Sequence, residues 1–192
     1  MIAPASESFY ARPMRTGALL LAILISAAPL AQAGETEDFG VAASTTLRLA
    51  DHAAPTPLGV PGAETITTEQ VLHRISRPAV ERPLLFDVIG ETHNSLPGAI
   101  WLPDAGLGVS FDDPVQEQLA ATLELIARGD KGRAMVFFCA SERCWLSYNA
   151  ALRAVRLGYT SVAWYRGGVR AWREAGLALG PMHYSWRRPE LK

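Results

Sequence analysis

Both cysteines of this 192-residue chain lie in one short stretch, "FFCASERCW", residues 137–145. Four residues separate Cys139 from Cys144, an apolar run leads in, and a long apolar-rich segment follows. A thiol ending a buried strand just before a helix opens stands where α/β sheets place reactive groups, beyond the carboxyl ends of their strands. A loop there can turn successive N–H groups inward over the positive end of a helix dipole, which favours thiolate over thiol at Cys139. Arg143 adds a positive charge. These residues define a candidate site with Cys139 as nucleophile, Cys144 as partner thiol, and Ala140, Ser141, Glu142, Arg143 and Trp145 as the substrate-binding rim.

Other uses of two cysteines fit less well. A structural zinc site needs about four ligands. Histidines 52, 73, 93 and 183 are scattered and there is no second cysteine pair, so no metal is expected. A disulfide across so short a loop restricts the unfolded chain less than a long-range bridge does, so stapling is a poor explanation. The context is nevertheless oxidising. Residues 1–33 carry Arg12 and Arg15, an apolar stretch shorter than the ~20 residues of a spanning helix, and a small-residue "AQA". That is the pattern of a secretory signal peptide cleaved between Ala33 and Gly34, and exported chains meet conditions that close nearby thiols. Cleavage leaves about 160 residues, the size of one domain. The net charge of −1 becomes about −2, with no basic tract to indicate nucleic acid and no later membrane span.

The elements that must position the thiols follow from periodicity and punctuation. Residues 34–62 are polar and rich in Ala, Pro and Gly, as in an extended arm or linker. Thr67 with Gln70 forms a capping box opening a short helix that carries Val71, Leu72 and Ile75. Residues 84–88 form a buried strand ending near Asp87, and residues 99–102 a second short strand after a Pro-Gly turn. Residues 115–127 have the helical period and stop at Gly129. Ala134 begins the most continuous apolar strand, and residues 145–157 form the clearest helix, with Asn149, Arg153 and Arg156 on one narrow polar stripe. Gly158 stops that helix. A strand in "SVAWY", a Gly167-Gly168 turn with a short helix, and an irregular tail from Pro181 complete the chain. Short apolar strands alternating with helices imply an α/β domain with a central, mainly parallel sheet flanked by helices.

The pieces "LLFDVIG", "LPGAIWLP", "MVFFCASERC" and "GYTSVAWYRGGVRAW" resemble a rhodanese domain, the sulfurtransferase fold, over about residues 65–179, within an expected domain of residues 63–192 that ends in the irregular tail. The resemblance places the persulfide-carrying cysteine at Cys139 and the strand-ending acid at Asp87, and puts Cys144 where that family usually has an arginine. Low turnover with thiosulfate follows, because the cation for an anionic donor is gone. Cys144-Trp145 and Tyr148-Asn149-Ala150 are similar to the exported CXXCW-motif proteins that accompany PQQ-dependent alcohol catabolism. This likeness implies a periplasmic setting beside a quinoprotein dehydrogenase or cytochrome, with a small sulfur donor or thiol acceptor as substrate. No cofactor, the quinone included, is expected on the chain itself. Phe138 before the cysteine and Trp145 at the arginine position speak against the related phosphatase chemistry.

Three readings stand open: sulfane-sulfur transfer through Cys139, a dithiol–disulfide relay with Cys144, and a non-catalytic docking module. Asp87, Gly167 and Gly168 are expected as structural support. Trp101, Trp164, Trp172 and Tyr148 read as packing residues, His93 as a surface histidine, and Arg153 and Arg156 as solvated helix charges.

Overall fold

The computed structural model describes residues 34–184; the expected leader and the tail beyond Tyr184 lie outside the described residues. Four-residue apolar runs form the buried centre of the sheet: β2 (Leu84–Asp87), β4 (Met135–Phe138) and β5 (Val162–Tyr165). The shorter strands β1 (Glu64–Ile66), β3 (Ile100–Trp101) and β6 (His183–Tyr184) lie outside them. The order is β1-β5-β4-β2-β3-β6, and every neighbouring pair is parallel. β4, the cysteine-bearing strand, is therefore held on both edges, by β2 and β5.

Four helices cover the two faces: α1 (Thr68–Ile75), α2 (Pro114–Ala127), α3 (Trp145–Arg156) and α4 (Gly168–Glu174). Alternation along β4 divides its side chains between two cores. Met135, Phe137 and Cys139 join the core built with α2 and α3, while Val136 and Phe138 join the one containing Val71 of α1 and Val169 and Trp172 of α4. The thiol strand thus aims Cys139 toward the α3 side.

The helix ends follow their sequence signals. Thr67 and Gln70 form the reciprocal capping box at α1. Asp113 caps α2 through the Gln116 N–H, with Pro114 in the first turn. That helix ends on Arg128 in the left-handed conformation, one residue before Gly129.

Three findings differ from the expectations. β1 precedes α1 where no strand is expected from the sequence. β6, in a tail expected to be irregular, pairs His183 with Ile100 and Tyr184 with Trp101. Arg153, expected to be solvated, is fully buried. Its guanidinium bonds both Asp113 oxygens at 3.1 and 2.9 Å, Gln116 Oε1 at 2.9 Å, and the carbonyls of Leu107 and Ser110. A narrow polar stripe is equally compatible with a buried ion pair, and only the loop after β3 shows which applies. Arg156 is exposed, 5.0 Å from the Phe111 ring centre.

Residues 34–62 contain no helix or strand, yet they are tied across α3 and the thiol loop. Glu35 and Thr56 are buried. Tyr148 Oη donates to the Ser44 carbonyl and accepts from its N–H, each at 2.7 Å. The Asn149 amide brackets Arg48, accepting from its N–H at 3.0 Å and donating to its carbonyl at 2.8 Å. The Trp145 indole donates to the Pro55 carbonyl at 3.1 Å.

Candidate thiol site at the strand-to-helix junction

Cys139 directly follows β4 and Cys144 is the N-cap of α3; the two are joined as a disulfide with Cα atoms 6.1 Å apart. Both are buried, Cys139 at 3% exposure and Cys144 at 9%. The bridge closes the loop over Ala140, Ser141, Glu142 and Arg143.

Three of the backbone N–H groups expected to turn inward around Cys139 are engaged elsewhere. The Arg143 N–H donates to Ser141 Oγ at 3.2 Å, the Cys144 N–H to the Ser141 carbonyl at 3.0 Å, and the Trp145 N–H to the His52 carbonyl at 2.9 Å. These donors are committed to the turn and to the arm. The helix dipole also falls differently from the expectation. Cys144, as N-cap, lies nearest the positive end of α3, so the helix favours thiolate at Cys144 more than at Cys139.

The remaining rim residues separate into two sets. Ala140 and Ser141 line an open cleft of about 370 Å3, together with Ile89, Thr92 and His93 after β2 and Arg170 and Arg173 of α4. Glu142, Arg143 and Trp145 are not brought to it. Glu142 turns inward, 2% exposed, in an ion pair with Arg170, and its carbonyl takes both the N–H and the hydroxyl of Thr56. Arg143 is exposed and stands 5.3 Å from the ring centre of Phe39, whose ring also lies 5.0 Å from the buried Arg166 guanidinium. Trp145 is buried beneath Arg48, whose guanidinium is 5.4 Å from its ring centre.

The supporting residues shape the loop from below. Asp87 is fully buried. It accepts from Ser95 Oγ, from the Ile89 N–H at 3.0 Å, and from His93 Nε2 at 2.8 Å. His93 Nδ1 meets the Glu91 carbonyl at 2.8 Å. An imidazole whose two nitrogens both face acceptors is satisfied as the imidazolium. The Asp87 hydrogen bond, against the opposing effect of burial, accordingly raises the His93 pKa. His93 therefore brings to the cleft, beside Arg170 and Arg173, an imidazole whose protonated form is favoured. Sequence reading passed over it as a surface residue, and its six-residue spacing from Asp87 across an irregular loop carries no periodic signal. Gly168 has φ +61°, and a Cβ there would collide with the Cys139 carbonyl. That contact lets the Val169 and Arg170 N–H groups bond the Cys139 and Ala140 carbonyls at 3.0 and 2.9 Å. Gly167 faces Glu35 and Ala171 equally closely.

A parallel sheet flanked by helices on both faces, with a cysteine at the tip of its middle strand and a short loop into the next helix, defines an α/β protein with a thiol site at the strand ends. Within that class the rhodanese-like domain model matches residues 67–175. The chain belongs to the rhodanese-like domain family. Similar solved structures include a thiosulfate sulfurtransferase from Pseudomonas aeruginosa, at 19% identity and TM-score 0.48 over 66% of this chain and 22% of that one. This chain therefore spans only about a fifth of that enzyme's length. Others are a Lactobacillus plantarum protein, at 19% identity and TM-score 0.46 over 60% of this chain and 87% of that one, and a human single-domain sulfurtransferase, at 22% identity and TM-score 0.41 over 58% and 96%. None of these likenesses bears on activity. No curated protein matches the chain at a significant level.

Proposed function

We propose that the chain is exported, cleaved after Ala33, and works in the periplasm as a rhodanese-fold thiol protein. Its Cys139–Cys144 pair alternates between a disulfide and a reduced state that accepts sulfur. The observation that carries this reading is the disulfide itself: the only two cysteines of the chain meet at the tip of the middle strand, and Ala140 and Ser141 of the loop they close line a cleft.

In the reduced state the Cys139 thiolate attacks the outer sulfur of a persulfide donor. The donor's S–S bond breaks, its thiol leaves, and Cys139 carries the added sulfur. Cys144, with the N-terminus of α3 favouring its thiolate, then attacks Cys139 Sγ. The bond to the outer sulfur breaks, hydrosulfide departs with its electron pair, and the disulfide forms. One persulfide and two thiols thus give one thiol, one hydrogen sulfide and the disulfide. A partner dithiol restores the pair by supplying two electrons and two protons and is itself oxidised. The setting in PQQ-dependent alcohol catabolism, beside a quinoprotein dehydrogenase or cytochrome, is supported by the Cys144-Trp145 and Tyr148-Asn149-Ala150 motif.

Mass spectrometry of the reduced protein after incubation with a persulfide donor tests the sequence of steps. Cys144→Ser is expected to retain one added sulfur on Cys139, whereas the wild type releases sulfide and loses two hydrogens. A Cys144→Ser protein that stays unmodified, beside a wild type that stays reduced, would contradict the proposal.

A further inference from the structure

Gly34 stands against the thiol loop. A methyl carbon built on its Cα would lie 3.4 Å from Glu142 Oε1 and 3.0 Å from Arg170 Nη2. Its carbonyl accepts from Arg166 Nη1 at 3.3 Å and from the Glu37 N–H at 3.1 Å, so the residue is held in place by its own chain. The neighbouring Glu35 carboxylate is bound by the Thr68 N–H at 3.0 Å and by the Thr68 hydroxyl at 2.9 Å. Residues 34 and 35 are thereby fixed over the start of α1 and the end of β5.

Glu142 is ion-paired here, yet its Oε2 lacks an aligned hydrogen bond. It is 2% exposed, and its Oε2 meets Arg170 Nη2 as an ion pair. No aligned hydrogen bond reaches that oxygen among the described residues, and Arg170 Nε likewise finds no acceptor. Arg170 is shared with Glu174 at 3.8 Å. The other charges around the group are Arg166, Glu35, Glu37 and Asp38; Glu37 and Asp38 act on Arg166, and the Glu35 carboxylate is bound by Thr68. Leaving a buried charged acceptor without a donor costs more than the ~1–3 kcal/mol of a neutral one.

We propose that the α-ammonium group of Gly34 is the missing donor, seated on the Glu142 carboxylate and tying the processed chain end to the Cys139–Cys144 loop. This rests on the export reading above. Hydrolysis of the Ala33–Gly34 bond gives the hydroxyl of water to Ala33 and its proton to the Gly34 nitrogen, which takes up a further proton from solvent. The product carries three N–H donors and a positive charge on an atom bonded to the same Cα; the uncleaved amide offers one donor and no charge. Glu142 lies inside the disulfide-closed loop, so cleavage fastens the arm over the thiols by the same contact that completes the loop's charge balance.

The test uses the mature protein purified from the periplasm, with intact mass reading where it begins. The rate of N-terminal acylation by acetic anhydride at pH 7.5 reports how far the amine titrates above the ordinary range for a chain terminus, about 7.7–8.0. Acylation is expected to be about tenfold slower in the wild type than in Glu142→Gln, the equivalent of one pKa unit. A chain bearing one extra alanine before Gly34 keeps Glu142 and is expected to acylate at the fast rate, which holds the comparison even where Glu142→Gln folds poorly. A Gly34 amine as reactive as that of the extended chain overturns the proposal and leaves export standing. A mature chain beginning at another residue overturns the cleavage reading and this proposal together.

Discussion

At the residue scale, two buried pairs have consequences that differ in kind. Arg153 and Asp113 are 0% and 6% exposed at their side chains and bond each other through two contacts. Burial by itself pushes the Asp113 carboxyl up, but the Arg153 guanidinium and the N–H groups of Gln116 and Ser110 outweigh it and hold the pKa down. Removing one member leaves the other buried and uncompensated, at a cost of about 3–5 kcal/mol. Arg153→Ala is expected to lower Tm by about ten degrees, read by calorimetry. His93 acts through pH instead. Its folded pKa is raised above the ordinary value of about 6.5, so its contribution is complete below that pH and is lost as pH rises through the folded value. The Tm difference between wild type and His93→Ala should be largest near pH 5.5 and shrink steadily toward pH 8.5. A difference that grows with pH would mean the Asp87–His93 contact is not charge-assisted.

At the element scale, α3 joins the site to the arm. Its first turns present Trp145, Tyr148 and Asn149, which hold Pro55, Ser44 and Arg48 respectively, while Cys144 caps it. The residues that carry the family likeness in the sequence are, in the fold, the anchors laying residues 34–62 across the thiol loop. Asn149 is fully buried and also donates to the Gly106 carbonyl at 2.9 Å. Asn149→Ala leaves the Arg48 and Gly106 groups without it, a loss of about 1–3 kcal/mol. Limited proteolysis should then cut within residues 34–62 faster than in wild type, with the remaining domain intact; equal cutting rates would remove the anchor role. Gly168 is the counterpart on α4. Gly168→Ala needs a left-handed backbone and drives its Cβ into the Cys139 carbonyl. It is expected to destabilise the protein by at least about 1 kcal/mol and to speed reduction of the disulfide, measured by thiol release in dithiothreitol.

At the scale of the whole molecule, what could be read from the sequence was what periodicity and punctuation encode. The apolar runs of β2, β4 and β5, the Thr67–Gln70 box and the Cys139–Cys144 junction each carry a local signal, and each stands where that signal puts it. The rest depended on distant segments. β1 and β6 are two or three residues long and exist through pairing with β5 and β3. The burial of Arg153 depends on Asp113, forty positions away. The cleft takes its basic side chains from His93, Arg170 and Arg173, which lie in a loop and a helix unrelated in sequence to "CASERC". The arm gave no period because it has none: it is held by side chains of the domain and not by a ladder of its own.

The central claim is that the Cys139–Cys144 bridge is a working disulfide. Equilibration of the native protein against graded dithiothreitol, with thiols counted by alkylation and mass spectrometry, measures this directly. A bridge of this role is expected to open and close reversibly as a two-thiol unit, with its midpoint in the range of catalytic disulfides, about −270 to −120 mV. A midpoint below about −300 mV, where structural disulfides lie, or thiols that do not re-form the bridge, would contradict it.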